Sequence, residues 1–92
     1  MKGKKLSLFI DSLYLNPEME FEYEDKRYLV SGYRDDSNEY ILQVDTIEVE
    51  SKQVFYFKDA SIQKCVEALE KATLFDGRTV YEAHNEITVL YG

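Results

Sequence analysis

The first apolar pattern in the chain is helical. Leu6, Phe9, Ile10 and Leu13 fall at i, i+3, i+4 and i+7, one stripe of an amphipathic helix. The residue before a proline avoids the helical region, so Asn16-Pro17 sets the end and the helix is expected over about 6–15. Leu8 and Leu15 fall off the stripe, which leaves an extended segment as the alternative. The pattern then changes to strict alternation. In residues 18–24 Met19, Phe21 and Tyr23 alternate with Glu18, Glu20, Glu22 and Glu24, as in a strand with one buried face and one face of carboxylates. Residues 24–27 read as a turn, and Tyr28 to Arg34 as the returning strand. Setting Tyr23 opposite Tyr28, Phe21 opposite Val30 and Met19 opposite Gly32 keeps the apolar side intact.

A polar cluster at 35–38 ends this hairpin. Tyr40, Leu42 and Val44 share one parity in the next strand. The parity changes at Asp45-Thr46 to Ile47 and Val49, the signature of a β-bulge or of a bend between two strands. Residues 50–53 turn the chain into a strand whose Phe55 and Phe57 alternate with Val54 and Tyr56. That strand looks apolar on both faces, so each face needs a cover. The longest helix follows over about 60–74, capped by Asp59 or Ser61. Ile62, Cys65, Val66, Leu69, Ala72 and Thr73 form its inner stripe, and Glu67 and Lys71 are spaced as an outer ion pair. It is expected to end near Phe75, before Asp76-Gly77. Thr79 and Glu82 have capping-box spacing, which predicts a short helix from Val80 carrying Ala83 and Ile87 inward, with a final strand possible after it. Strands and helices are segregated along the chain. The expectation is one α+β domain over 1–92: a four-stranded, mainly antiparallel meander packed by the 60–74 helix, with shorter terminal helices.

Composition supports a folded chain: 45% of the 92 residues are hydrophobic, and eight Tyr and five Phe are present. The net charge of −7 is unevenly spread, with +3 in residues 1–5, −9 in residues 6–50 and −1 beyond. Residues 1–5 are expected to be a flexible basic tail. The acidic excess argues against direct binding of nucleic acid or an anionic membrane. A single cysteine builds no disulfide framework and suits a reducing compartment, and no segment approaches the ~18 apolar residues of a membrane span. The apolar run after the basic N-terminus breaks at Asp11 with no cleavage site, so a signal peptide is not expected. A cytoplasmic location is expected.

His84 is the only histidine, and it falls at the edge of an apolar helix face, where a half-buried imidazole with a wet tip is the ordinary outcome. Cys65 lies on a buried stripe, with no orienting third group to make a nucleophile–base pair with His84. No phosphate-binding loop, dinucleotide fingerprint or zinc-ligand spacing occurs. No catalytic residue, metal ligand or cofactor is therefore assigned. The row Glu18, Glu20, Glu22 and Glu24 is the most unusual feature, with alternate charges about 6.6 Å apart. Charges along an exposed or edge strand discourage edge pairing, and that is the simplest reading. A single strand face does not wrap Ca²⁺ or Mg²⁺. The functional alternative is a docking face for a basic protein, in the manner of proteins that imitate a nucleic-acid backbone. Leu29 and Tyr33 are expected on the same face. Leu29, Tyr33, Ile41, Phe55 and Phe57 together suggest a second apolar face. The expected function is a non-enzymatic, acidic protein-interaction module, an inhibitor or adaptor of a basic partner. The alternative is a small-ligand-binding or structural homodimer that uses the second apolar face.

Overall fold

The computed structural model describes residues 1–15, 17–48 and 50–92. The elements run α1 (Leu6–Ser12), β1 (Glu18–Tyr23), β2 (Lys26–Arg34), β3 (Tyr40–Thr46), β4 (Gln53–Asp59), α2 (Ile62–Lys71), α3 (Val80–Ala83), a 3₁₀ turn (His84–Glu86) and β5 (Ile87–Tyr91). The strands form one antiparallel sheet in the order β4-β3-β2-β1-β5. The chain meanders across four strands, crosses back through α2 and α3, and adds β5 beside β1. The fold is α+β, with one strand more than the sequence pattern indicates. Ile87, expected on the inner face of a terminal helix, instead starts β5 and remains buried.

One face of the sheet carries the core. Met19, Phe21, Tyr23, Val30, Leu42, Val44, Ile87 and Val89 meet Phe9 and Leu13 from the first helical segment, Cys65, Val66 and Leu69 from α2, and Val80 and Ala83 from α3. α1 is shorter than its stripe; Leu8 and Leu15, off the stripe, are exposed. Asn16, the expected helix stop, lies outside the described residues. α2 starts where Ser61 Oγ accepts from the Lys64 N–H (3.4 Å) and Asp59 Oδ2 accepts from the Ser61 N–H (2.7 Å). It ends at Lys71, before the expected boundary, because Ala72 is already extended (ψ 134°). Glu67 accepts from Gln63 Nε2 at 3.0 Å. The capping box at Thr79 and Glu82 forms as expected.

The β1–β2 register differs from the sequence expectation. Tyr23 pairs with Lys26, Phe21 with Tyr28 and Met19 with Val30, a shift of two residues that preserves which side chains face inward. The cause is a two-residue turn. Glu24 (φ 50°) and Asp25 (φ 61°) both adopt the left-handed conformation that matches the twist of a tight hairpin. Neither residue is the Asn or Gly that normally announces such a turn. Asp76 (φ 55°) and Gly77 (φ 79°) make a second turn with positive φ at both central residues, closed by reciprocal Phe75–Arg78 backbone bonds of 3.1 and 3.2 Å. The parity change at Asp45-Thr46 is not a bulge in β3, which pairs with β2 in unbroken register and ends at Thr46; the bulge lies on the neighbouring strand, where Val44 pairs with Phe55 but Asp45 with Gln53, leaving Val54 of β4 as the extra residue. Ile47 follows β3 as an exposed loop residue, and Val49 lies outside the described residues.

Two contacts fix the layers. Tyr40 is fully buried, and its hydroxyl donates to the Leu13 carbonyl at 3.0 Å. Its ring needs the space above Gly32, where an added Cβ would stand 2.1 Å from the Tyr40 hydroxyl oxygen. At the far edge, the basic N-terminal segment, expected as a flexible tail, runs beside β5. The Lys2 N–H donates to Ile87 O (3.0 Å), and the Val89 N–H donates to Lys2 O (2.8 Å).

Gly32→Ala is expected to cost about 3 kcal/mol by overpacking, and Tyr40→Phe about 1–2 kcal/mol by orphaning a carbonyl. In urea denaturation the double variant should cost less than the two singles added, because the closest clash is gone, while Pro17 Cδ (2.5 Å) and the ring carbon Cζ of residue 40 (2.9 Å) still crowd the added methyl. Additive costs would contradict the contact. Asp25→Gly should raise the melting temperature, gaining about 0.5–1 kcal/mol from relief at a positive φ; a lower melting temperature would show that this turn is unstrained.

Candidate functional site

Directly opposed residues in a sheet share a face, so the pairing defines the side of the sheet away from the helices. Across it run Glu18, Ser31, Gln43 and Tyr56; then Tyr91, Glu20, Leu29 and Asp45; then Thr88, Glu22 and Arg27; and, at the other end, Tyr33, Ile41 and Lys58. The helical residues that pack on the sheet all belong to the opposite, buried side. Tyr33 (44%), Tyr56 (49%) and Tyr91 (51%) are exposed on this open face, and Val54 lies at its margin. Ile41 is 6% exposed between Tyr33 and Lys58, so the open face has a small apolar floor of its own.

The carboxylate row is therefore real over Glu18, Glu20 and Glu22, and of the two settings expected for it, an exposed strand or an edge strand, it has the first. β1 lies inside the sheet, hydrogen-bonded on both sides, so the row does not guard an edge. Glu24 leaves the row. It sits in the left-handed turn, and hydrogen bonding with the Asp76 carboxyl pushes its own carboxyl above the usual range. Asp76 belongs to a corner cluster on the helix side: Tyr23 Oη donates to Asp76 Oδ2 (3.0 Å) and accepts from Arg78 Nη2 (2.9 Å), and Arg78 pairs with Glu86. Leu29 and Tyr33 do lie on the face of the row, as expected. Phe55 and Phe57 do not: they oppose Val44 and Leu42 and are half-buried on the core side. Val54, Tyr56 and Tyr91 replace them in the account of the open face. Tyr56 was legible once Val44 was paired with Phe55, but Tyr91 needed the fifth strand.

The two cations on this face are engaged. Arg27 Nη1 lies 3.8 Å from Glu20 Oε1, and Lys58 Nζ lies 2.5 Å from Asp35 Oδ2. Asp35 also accepts from the Ser37 and Glu39 N–H groups, and the Lys58 ammonium leads these bonds in holding its carboxyl below the usual range. Tyr33 Oη donates to Gln43 Oε1 (3.2 Å), whose amide donates to Asp45 Oδ2 (2.9 Å). Glu18 and Glu22 stand opposite Ser31 and Arg27 and carry the row toward solvent. Beyond the end of the face a groove of about 650 Å³ is bordered by Lys26, Tyr28, Glu48, Lys52 and Val54.

The residues with intrinsic reactivity lie elsewhere. Cys65 is fully buried on α2; its thiol donates to the Tyr40 carbonyl at 3.4 Å, and burial pushes its pKa up. His84 is half-buried in the 3₁₀ turn, and its enclosed Nδ1 makes no hydrogen bond. Among the described residues no three His, Cys, Asp or Glu side chains converge on a metal position. Nor is any helix among them long and apolar enough to cross a membrane. No protein-family model, curated protein or solved structure matches the chain.

A buried, protonated thiol reacts slowly. Cys65 is expected to be inert to an aromatic disulfide reagent in the native protein, with labelling that rises along the urea unfolding curve. Rapid labelling without denaturant would contradict the packing of α2.

Proposed function

We propose that the helix-free face of the sheet docks a basic protein partner, making this chain a non-enzymatic interaction module that acts as an inhibitor or adaptor. Glu18, Glu20 and Glu22 supply the charge, and Leu29 and Tyr33 supply apolar contact. The observation that carries this reading is the position of the row. Three carboxylates are held in regular spacing on an interior strand, beside exposed tyrosines, on a face that no helix among the described residues covers. Edge protection no longer accounts for them. Tyrosine gives a docking surface area at small entropic cost, and complementary charge speeds encounter and selects partners. The buried thiol and the isolated imidazole support a non-catalytic role. A lone, unpaired cysteine fits the cytoplasm.

The exposed Tyr33, Tyr56 and Tyr91 also favour a second reading, in which the same face binds a small ligand or a second copy of the chain. The two readings separate on charge. Capture from the lysate of the native host should recover a basic protein at low salt and less of it at moderate salt. Glu20→Gln combined with Glu22→Gln should weaken that capture by about tenfold, and Tyr33→Ala should weaken it with little change in salt dependence. Capture of the same protein at undiminished yield by the double Gln variant would remove the row from the interface. Recovery of no basic protein at either salt would reject the docking reading.

A further inference from the structure

The two edges of the sheet are unequal. Lys2 already occupies the backbone groups of Ile87 and Val89 on the β5 edge. On the β4 edge, Gln53–Asp59 has no pairing partner on its outer side among the described residues. A seven-residue strand without proline is a template for another strand, and bulges, charges or covers are the usual means of blunting one. Here the bulge is confined to Val54 at the start, and the one cation, Lys58, projects onto the open face toward Asp35.

The direction of the free backbone groups follows from the ladder. Asp35 N–H donates to Glu39 O, Ile47 N–H donates to Arg27 O, and Thr46 N–H donates to Lys52 O. Bonding alternates along an antiparallel pair. Ile41, Gln43 and Asp45 therefore turn their backbone groups toward β2, and Tyr40, Leu42 and Val44 turn theirs toward β4. Their partners Asp59, Phe57 and Phe55 bond inward. Tyr56 and Lys58 are left with N–H and C=O directed outward.

We propose that β4 pairs antiparallel with β4 of a second copy about a two-fold axis at Tyr56. In this register Tyr56 opposes Tyr56 of the other copy and the two exchange a reciprocal pair of backbone bonds. Phe55 opposes Phe57, Val54 opposes Lys58, and Gln53 opposes Asp59. The strand is self-complementary: no like charges face each other, and a two-fold interface requires such self-matching. Phe55 and Phe57 are only half-buried on the core side, where they are the last apolar residues before the edge. Opposed across the axis, each covers the other. The result is a continuous sheet through both copies, with two open faces side by side. This pairing stands independently of what the open face binds.

Sedimentation of the whole chain across micromolar to millimolar concentration tests it. A reversible shift from the 10.8 kDa chain to twice that mass is expected. Tyr56→Pro deletes an N–H that has no partner among the described residues of the single chain, so circular dichroism and melting should stay close to those of the parent while the dimer is lost. Val54→Lys places like charges opposite each other twice per dimer and should raise the dissociation constant by about tenfold. Val54→Glu, facing Lys58, should leave it unchanged or lower. If Tyr56→Pro misfolds, the opposite effects of the two Val54 variants still decide the register. A single-chain mass at every concentration would overturn the proposal. So would a dimer that both Val54 variants leave unaltered.

Discussion

The ring of Tyr40 lies in the space that a side chain on Gly32 would fill, and its hydroxyl holds the Leu13 carbonyl at 3.0 Å. This contact joins the start of β3, across Gly32 of β2, to the end of the first helical segment. It also explains why a glycine interrupts the apolar parity of β2. Cys65 donates to the carbonyl of the same tyrosine, so α2 is docked against β3 at the same point. With both helical segments referred to Tyr40, the helical layer gathers on one side of the sheet, where the apolar parity of the strands already directs burial. The open face follows from that asymmetry.

The strand alternation was legible in the sequence because one-sided burial imposes it. Alternation sets Met19, Phe21 and Tyr23 on one side of their strand and Tyr40, Leu42 and Val44 on one side of theirs, and all six are buried. The register of the first hairpin was not legible. Its turn is Glu24-Asp25, and nothing in those side chains announces two successive left-handed residues. The error left the faces unchanged because a shift of two residues preserves parity. The last strand was obscured for a different reason. Val80, Ala83 and Ile87 keep helical spacing through a segment that turns at His84 and becomes extended at Ile87, so periodicity alone ran the helix too far.

The candidate site was partly legible in the same sense. Glu18, Glu20, Glu22, Leu29 and Tyr33 share a face because they share strand parity. Glu24 has the same parity in the sequence but lies past the end of β1, where the turn carries it to Asp76. The sequence pattern places Phe55 and Phe57 on the open face because the strand is apolar at every position from Val54 to Phe57, and only its pairing with Val44 and Leu42 fixes the parity. The largest change in meaning concerns the acidic row. Charges on an exposed or edge strand have a protective explanation. On an interior strand the row's charges face solvent from the middle of a surface, beside Leu29 and the exposed tyrosines, and that placement is the ground of the docking proposal.

The claim that this face is the working surface is tested most directly by amide chemical-shift mapping of isotopically labelled protein titrated with the basic protein it captures. The account predicts that the shifts concentrate in β1 and β2, at Glu18, Glu20, Glu22, Leu29, Ser31 and Tyr33, and leave α2 and α3 unmoved. Shifts confined to the helical layer, or to the corner formed by Asp76, Arg78 and Glu86, would contradict it.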